Sequence, residues 1–337
     1  MRTIVRGLAA VLAAGAVLTT LTACSGDSGP SITVYNAQHE ELLKALAPKF
    51  TAETGIDVHL RNGEDFELGN QLVQEGSSSP ADVFLTENSP AMSLVDSKGL
   101  FAPLEQNTLN SIPAQYRPDD GNWTGFAARS TVLVYNTDAV SKAELPRSIM
   151  DLADPEWAGR VAFSPTGADF QAIVSAVLQT QGEQATQQWL DGLAKNGEVY
   201  DGNNLVLEAV NSGEVDVGII YHYYWYRDQA ESGENSDDSA LYFFGNQDPG
   251  AFVSVSGAGV LKSSDHQADA QKFVAFLVSR EGQQALADSY ALEYPLNPHV
   301  QLEQGVKPFD SLQPPTIDMT SLNGPKVIEL MQNAGLL

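Results

Sequence analysis

The chain has 337 residues, with 43 acidic against 18 basic side chains and a formal net charge of −25 at pH 7. That much negative charge argues against nucleic acid, anionic membrane surfaces and polyanionic substrates, and favours cations or neutral solutes. A folded part of about three hundred residues is too long for one core and calls for two lobes.

The chain opens with MRTIVRGLAAVLAAGAVLTTLTAC, in which Arg2 and Arg6 precede an apolar stretch from Leu8, the layout of a secretory signal. The stretch is too short and too weakly flanked for a stable membrane span. It closes on Leu21, Thr22, Ala23 and Cys24, which resembles a bacterial lipobox and implies a lipid on Cys24 as the first mature residue. Cys24 is the only cysteine in the sequence, so a disulfide within the chain, a thiolate metal site and a catalytic thiol are all excluded. Any cofactor must be held by nitrogen and oxygen. Removing residues 1–24 takes away two arginines and no acid, which moves the charge from −25 to −27. SGDSGPS (25–31) reads as a flexible tether, so the protein is expected to work outside the membrane while tied to it.

SITVY (31–35) alternates as a strand does, and EELLKALAPKFTAETG (40–55) sets Leu42, Leu43, Leu46 and Phe50 at helical spacing before stopping at Gly55. IDVHL (56–60), FELGNQLVQEG (66–76) and DVFLT (82–86) continue as strand, helix and strand. This β-α-β-α-β order implies a parallel sheet with helices on both faces. TVLVYN (131–136) is a further strand. A second α/β region follows, with RVAFS (160–164), QAIVSAVLQTQ (171–181), GEQATQQWLDGLAK (182–195) and VDVGII (215–220). ESGENSDDSA (231–240) reads as an acidic surface loop, AFVSVSGAGVL (251–261) as a strand and AQKFVAFLVSREGQQALADSY (270–290) as one helix. No P-loop, GxGxxG turn, GxSxG elbow or HExxH motif is present, so an enzyme reading starts without a motif.

Ligands of open parallel sheets bind beyond the carboxyl ends of strands. The loop after the first strand ends in His39 and the loop after the third begins with Glu87, so a 2-1-3 strand order makes them neighbours. In the other region, YHYYWY (221–226) follows a strand end and offers phenols. Two facing lobes would bring imidazole, carboxylate and phenols to one cleft. Phenolate and carboxylate are hard oxygen donors. A phenol, with a pKa near 10, binds a metal well only if the metal is acidic enough to displace its proton at neutral pH, as iron(III) is. Two phenolates and one carboxylate sum to −3 and balance a 3+ ion in a partly desolvated cleft. Packing is the competing account of the phenols, and it is the expected role of His222, Trp225 and Tyr226. For Arg129 the alternatives are a surface charge and an anion partner lining the cleft.

ITVYNAQH (32–39), SPADVFLTE (79–87), FAARSTVLVYN (126–136), PEWAGRVAFSPTGADF (155–170), HYYW (222–225), DPGAFVSVSGAGVLKSS (248–264) and EYPLNPHV (293–300) together resemble the bacterial ferric-iron-binding proteins of ABC transporters, periplasmic relatives of transferrin. The resemblance implies an α/β, two-lobed periplasmic-binding-protein fold of type II. Lobe 1 is then 32–130 plus 253–305 and lobe 2 is 131–252 plus 306–337, with hinges near 129–132 and 252–256. It implies Fe(III) held by His39, Glu87, Tyr223 and Tyr224, with an exogenous anion (phosphate, carbonate or citrate) or water completing the coordination. The anion positions of the family fall on Asn88, Gly167, Ala168 and Asn203. Two departures stand out: Asp169 would repel a phosphate, and Tyr221 replaces an amide donor and becomes a candidate extra ligand or hydrogen-bond partner. The implied partners are an ABC permease and its ATPase, and the protein is expected to be a lipid-anchored monomer without catalytic residues. The alternatives are a binding protein for an organic cation, polyamine or thiamine-like, held in an aromatic cage, and a metal-dependent extracellular hydrolase.

Overall fold

In the computed structural model, residues 29–302, 305–319 and 322–337 are described. The expected signal segment and Cys24 lie outside the described residues, and of the expected tether only its last residues lie within them, Ser31 already belonging to the first strand.

Strand β1 (Ser31–Ala37) is paired in parallel with β2 (Asp57–Asn62) on one side and β3 (Val83–Thr86) on the other. Helices α1 (Glu40–Thr54) and α2 (Asp65–Glu75) make the crossovers. The helical spacing of α1 does what it predicts: Leu42, Leu43, Leu46 and Phe50 are buried, and Gly55 ends the helix at φ 73°, a left-handed conformation that glycine adopts without strain. The register sets Ala37 opposite Thr86, so the chain leaves β1 and β3 side by side. The 2-1-3 order is as expected. Helix α3 (Ser89–Ser97), strand β4 (Phe101–Ala102) and helix α4 (Gln106–Asn110) lead into β5 (Trp123–Asn136), fourteen residues long and buried throughout.

The second half contains β6 (Val161–Phe163), α5 (Ala168–Gln181), α6 (Glu183–Asn196), β7 (Glu198–Val199), α7 (Asn203–Asn211), β8 (Val217–Tyr221), α8 (His222–Glu231) and β9 (Ser239–Tyr242). The chain returns through β10 (Val253–Leu261), α9 (Gln267–Val278), α10 (Arg280–Ala287) and β11 (Tyr294–Pro295), and ends in α11 (Gly324–Asn333), which packs on α5 and α6. The strands order as β2-β1-β3-β10-β5-β8-β6-β7. Strand β5 joins the halves: Ser130 pairs with Val253 of β10, and the next residue, Thr131, pairs with Tyr221 of β8.

One local expectation changes. The span 270–290 is two helices, because Ser279 turns extended and its Oγ accepts from Gly282 N at 3.0 Å, starting α10 as an N-cap. The phenol-rich segment stands at a strand end as expected: Tyr221 closes β8, and from His222 the chain is helix α8. The acidic loop lies at the surface as expected, with Glu231, Glu234, Asp237 and Asp238 exposed, while Ser236 is buried and Ser239 opens a strand paired with β5.

Candidate metal centre

Five helix starts converge where the halves meet. His39 is the N-cap of α1 and its side chain makes no capping bond, which leaves the imidazole free to turn into the cleft. Glu87 and Asn88 lie between β3 and α3, held in place by Asp65, whose two oxygens accept from Glu87 N at 2.8 Å and Asn88 N at 2.9 Å. Asp169 is in the first turn of α5, Asn203 opens α7, and Tyr223 and Tyr224 are in the first turn of α8. Gly202 turns the chain into α7 at φ 116°, where a side chain would be strained. The positive ends of these helices favour the concentration of anionic donors among them.

His39 Nε2 stands 3.5 Å from Glu87 Oε1, and the Tyr223 hydroxyl donates to the same oxygen at 3.1 Å. The rings of Tyr223 and Tyr224 stack with centroids 4.2 Å apart, and the Tyr224 hydroxyl donates to Asp169 Oδ2 at 3.1 Å. His39, Glu87, Tyr223 and Tyr224, expected from two separate regions of sequence, are therefore brought together. Among the described residues no group of three His, Cys, Asp or Glu side chains is arranged to hold a metal. This centre depends on its phenols.

Electrostatics divide the donors. Burial first, then the charges of Asp169 and Glu87, push the phenols of Tyr223 and Tyr224 well above their usual range. Burial also acts to raise Glu87, but His39, Arg129 and the Tyr223 hydroxyl outweigh it and hold the carboxyl below its usual value. Asp169 is pushed up to about 8, mainly by burial and then by Glu87. In the metal-free protein at neutral pH, both phenols carry their protons and Glu87 carries its charge.

The residues expected around an anion are engaged with Asp169. Asn88 Nδ2 donates to Asp169 Oδ1 at 3.2 Å and Asn203 Nδ2 to Oδ2 at 2.9 Å. Gly167 and Ala168 lead the same helix, directly before this carboxyl. Tyr221 is fully buried, and its hydroxyl faces Asn88 Oδ1 and the Asp169 carbonyl, each at 3.3 Å. It braces Asn88 from behind. Arg129 is not a surface charge: it is fully buried, with Nη2 donating to Glu293 Oε2 at 2.6 Å and Nη1 to the Glu87 carbonyl. Glu293 is the group sequence reasoning missed. Only the pairing of β11 with β5, Tyr294 opposite Ala128, brings it beside Arg129. Asp169 was visible as a departure from pattern, but its three hydrogen bonds were not.

The sequence matches the model of the bacterial extracellular solute-binding proteins over residues 78–318. The chain belongs to this family. It is 56% identical over 315 residues to the Fe(3+)-binding periplasmic protein of Serratia marcescens, covering 94% of this chain and 93% of that protein. It is 39% identical over 327 residues to the major ferric iron-binding protein of Neisseria gonorrhoeae, covering 95% and 96%. The iron-bound HitA of Pseudomonas aeruginosa superposes with a TM-score of 0.86 at 43% identity over 91% of this chain and all of that one. The Trichodesmium protein solved with iron and citrate gives 0.80 at 28% identity, with 91% and 100% covered. The fold is the type II periplasmic-binding fold of these extracellular solute-binding proteins, a mixed α/β architecture with a curled sheet.

In this family member the neighbours of the phenols pack. His222 is fully buried, its ring 4.4 Å from that of Tyr294 and its Nδ1 accepting from Ser130 N at 3.2 Å. Burial lowers its pKa to about 3, so the imidazole is neutral. The expectation of packing holds. Trp225 Nε1 donates to Ser239 Oγ, and the Tyr226 hydroxyl accepts from Lys307 N. An aromatic cage would need a hollow among these rings, whereas Tyr223 and Tyr224 lie against one another. The larger cavity nearby, about 870 Å³, is lined by Asp65, Phe66, Ala168, Gln171, Asp201 and Pro325, not by the phenols. No described helix is long and apolar enough to cross a membrane.

Proposed function

We propose that this protein captures ferric iron between its two halves and delivers it to an ABC permease and its ATPase for uptake. The observation that carries the reading is the meeting of imidazole, carboxylate and phenol at one point, with His39 Nε2 at 3.5 Å and the Tyr223 hydroxyl at 3.1 Å from the same Glu87 oxygen. The names of the Serratia, Neisseria and Pseudomonas relatives, all ferric- or iron-binding, support it.

Iron is the cargo, and His39, Glu87, Tyr223 and Tyr224 are its ligands. The bound cation displaces the protons of the two phenols into solvent, and the phenolates with Glu87 supply the charge of −3 that neutralises it. Asp169 takes the place of the phosphate, carbonate or citrate that the resemblance implies: its carboxyl already occupies Asn88 and Asn203, and it sits at the start of α5 behind Gly167 and Ala168. Water fills what remains. Arg129 acts on the site through Glu87 and not on an exogenous anion. Lobe 1 comprises 32–130 plus 253–305 and lobe 2 131–252 plus 306–337, and bending where β5 passes from β10 to β8 opens and closes the cleft. Closure removes water from the donors and presents a surface that the permease reads. Cys24 carries the lipid that keeps the monomer at the outer face of the cell membrane. No substrate bond is made or broken.

The test is a visible absorption titration of the mature chain with ferric citrate, beside the Tyr223→Phe/Tyr224→Phe variant. A saturating phenolate-to-iron charge-transfer band at one iron per chain, lost in the variant, is expected. A folded parent without a band overturns the reading.

A further inference from the structure

The donors contributed by α1 and the β3–α3 turn are backed by a buried ion pair of Arg129 with Glu293. Glu293 and Arg129 are both fully buried. Glu293 Oε2 accepts from Arg129 Nη2 at 2.6 Å and from Gln38 Nε2 at 3.3 Å. Its other oxygen, Oε1, has no hydrogen-bond partner and stands 3.7 Å from His39 Nε2. Arg129 Nη1 donates to the Glu87 carbonyl and lies 3.8 Å from Glu87 Oε1. One guanidinium is therefore shared by two carboxylates, of which one is a proposed iron ligand and the other is not. Ser256 Oγ ties the group together, accepting from Arg129 Nη2 and from Gln38 Nε2, each at 2.8 Å.

A guanidinium in this position serves to fix the Glu87 turn, but it also opposes the arrival of a trivalent cation. Water is too far away to screen it, because the pair is sealed beneath the cleft, and unscreened charges at such distances act strongly. A second carboxylate paired with it at 2.6 Å cancels the positive charge without being one of the proposed ligands.

We propose that Glu293 is a positioning residue of the iron site: it neutralises Arg129, so that the charge of Glu87 and the phenolates stays available to ferric iron, while its unpartnered oxygen faces His39 Nε2 at 3.7 Å. This rests on the iron reading above.

The experiment compares the wild-type mature chain with Glu293→Gln, Glu293→Asp and the double variant Arg129→Gln/Glu293→Gln. It reads the charge-transfer band, Fe(III) affinity against a competing chelator, and the Fe(III)/Fe(II) potential. Glu293→Gln keeps the band but binds Fe(III) about 10-fold or more weakly, as loss of an outer partner does. Because Fe(II) suffers less from an unbalanced positive charge, the potential rises, by about 59 mV for each tenfold of differential loss. Removing both charges returns Fe(III) affinity to within about threefold of wild type, and Glu293→Asp, which keeps the charge, also stays within about threefold. A purely structural role would lower the melting temperature of the double variant too, but would not restore its affinity and potential. Unchanged affinity and potential in Glu293→Gln, or a double variant no better than the single, overturns the proposal. If Glu293→Gln does not fold, the double and Asp variants decide by the same limits. Absence of the band in wild type is a different failure, that of the iron reading itself.

Discussion

The Tyr224 hydroxyl donates to the Asp169 carboxylate over 3.1 Å, joining the first turn of α8 to the first turn of α5. This contact sets a carboxyl of the chain beside Tyr224, Asn88 and Asn203. Asn88 reaches the same carboxyl from the other half, at 3.2 Å, so Asp169 also ties the halves together.

If Asp169 stands in for an anion, iron affinity is insensitive to added phosphate or carbonate. Asp169→Ala is expected to weaken binding by about 10- to 100-fold and to make it respond to phosphate, since Asn88 and Asn203 are then free to hold one. Equilibrium titrations with and without the anion check this. A wild-type affinity that climbs with phosphate contradicts the substitution of carboxyl for anion.

Iron binding should be steeply pH-dependent. Burial keeps both phenols protonated in the metal-free chain, and Asp169, pushed up to about 8, is protonated below that pH as well. Ligation by all three then releases about three protons per iron below pH 8 and about two above it. Affinity falls as pH falls, because protons compete for the donors. Proton release on iron addition, measured at pH 6 and pH 9, gives the two numbers; equal affinity at pH 7 and pH 5 would falsify phenolate ligation.

Glu87→Gln keeps the shape of the donor but removes its charge, leaving the two phenolates and the Asp169 carboxyl for a trivalent ion. We expect a loss of Fe(III) affinity of about 100-fold or more, beyond what outer partners cost, with the charge-transfer band retained at high iron. Competition against a chelator measures the loss.

His222→Phe separates packing from ligation. The substitution keeps the stack on Tyr294 but deprives Ser130 N of its acceptor, which costs about 1–3 kcal/mol of stability. Thermal unfolding should show that loss while the iron band is unchanged. A missing band in a folded variant would put His222 in the coordination sphere.

Strand β5 is sensitive to volume within the first half. A Cβ on Gly125 would meet Val255 Cγ1 at 2.5 Å and the Tyr116 carbonyl at 2.6 Å, where β5 pairs with β10. Gly125→Ala is expected to destabilise by about 1–3 kcal/mol, read as a lower melting temperature of the metal-free chain.

Much of this molecule follows from local chemistry. The period of Leu42, Leu43, Leu46 and Phe50 makes α1 amphipathic wherever it lies, Gly55 stops it, and the β-α-β-α-β order places His39 and Glu87 at adjacent strand ends, because right-handed crossovers permit few other arrangements. A phenol-rich segment at a strand end, a single cysteine outside the described residues and the run of family-like motifs pointed to a hard trivalent metal. Local signals also existed where the reading went astray: Ser279 before Arg280 and Glu281 is a helix start, masked by the apolar period on either side of it. What the sequence could not express are relations between distant residues. Glu293 meets Arg129 only through strand pairing across 164 positions, and Asp169 acquires its partners only when the starts of α3, α7 and α8 converge. Periodicity encodes which face of an element is buried; which charge sits beside which is settled by packing, since Coulomb interaction and desolvation depend on distances that exist only in the folded chain.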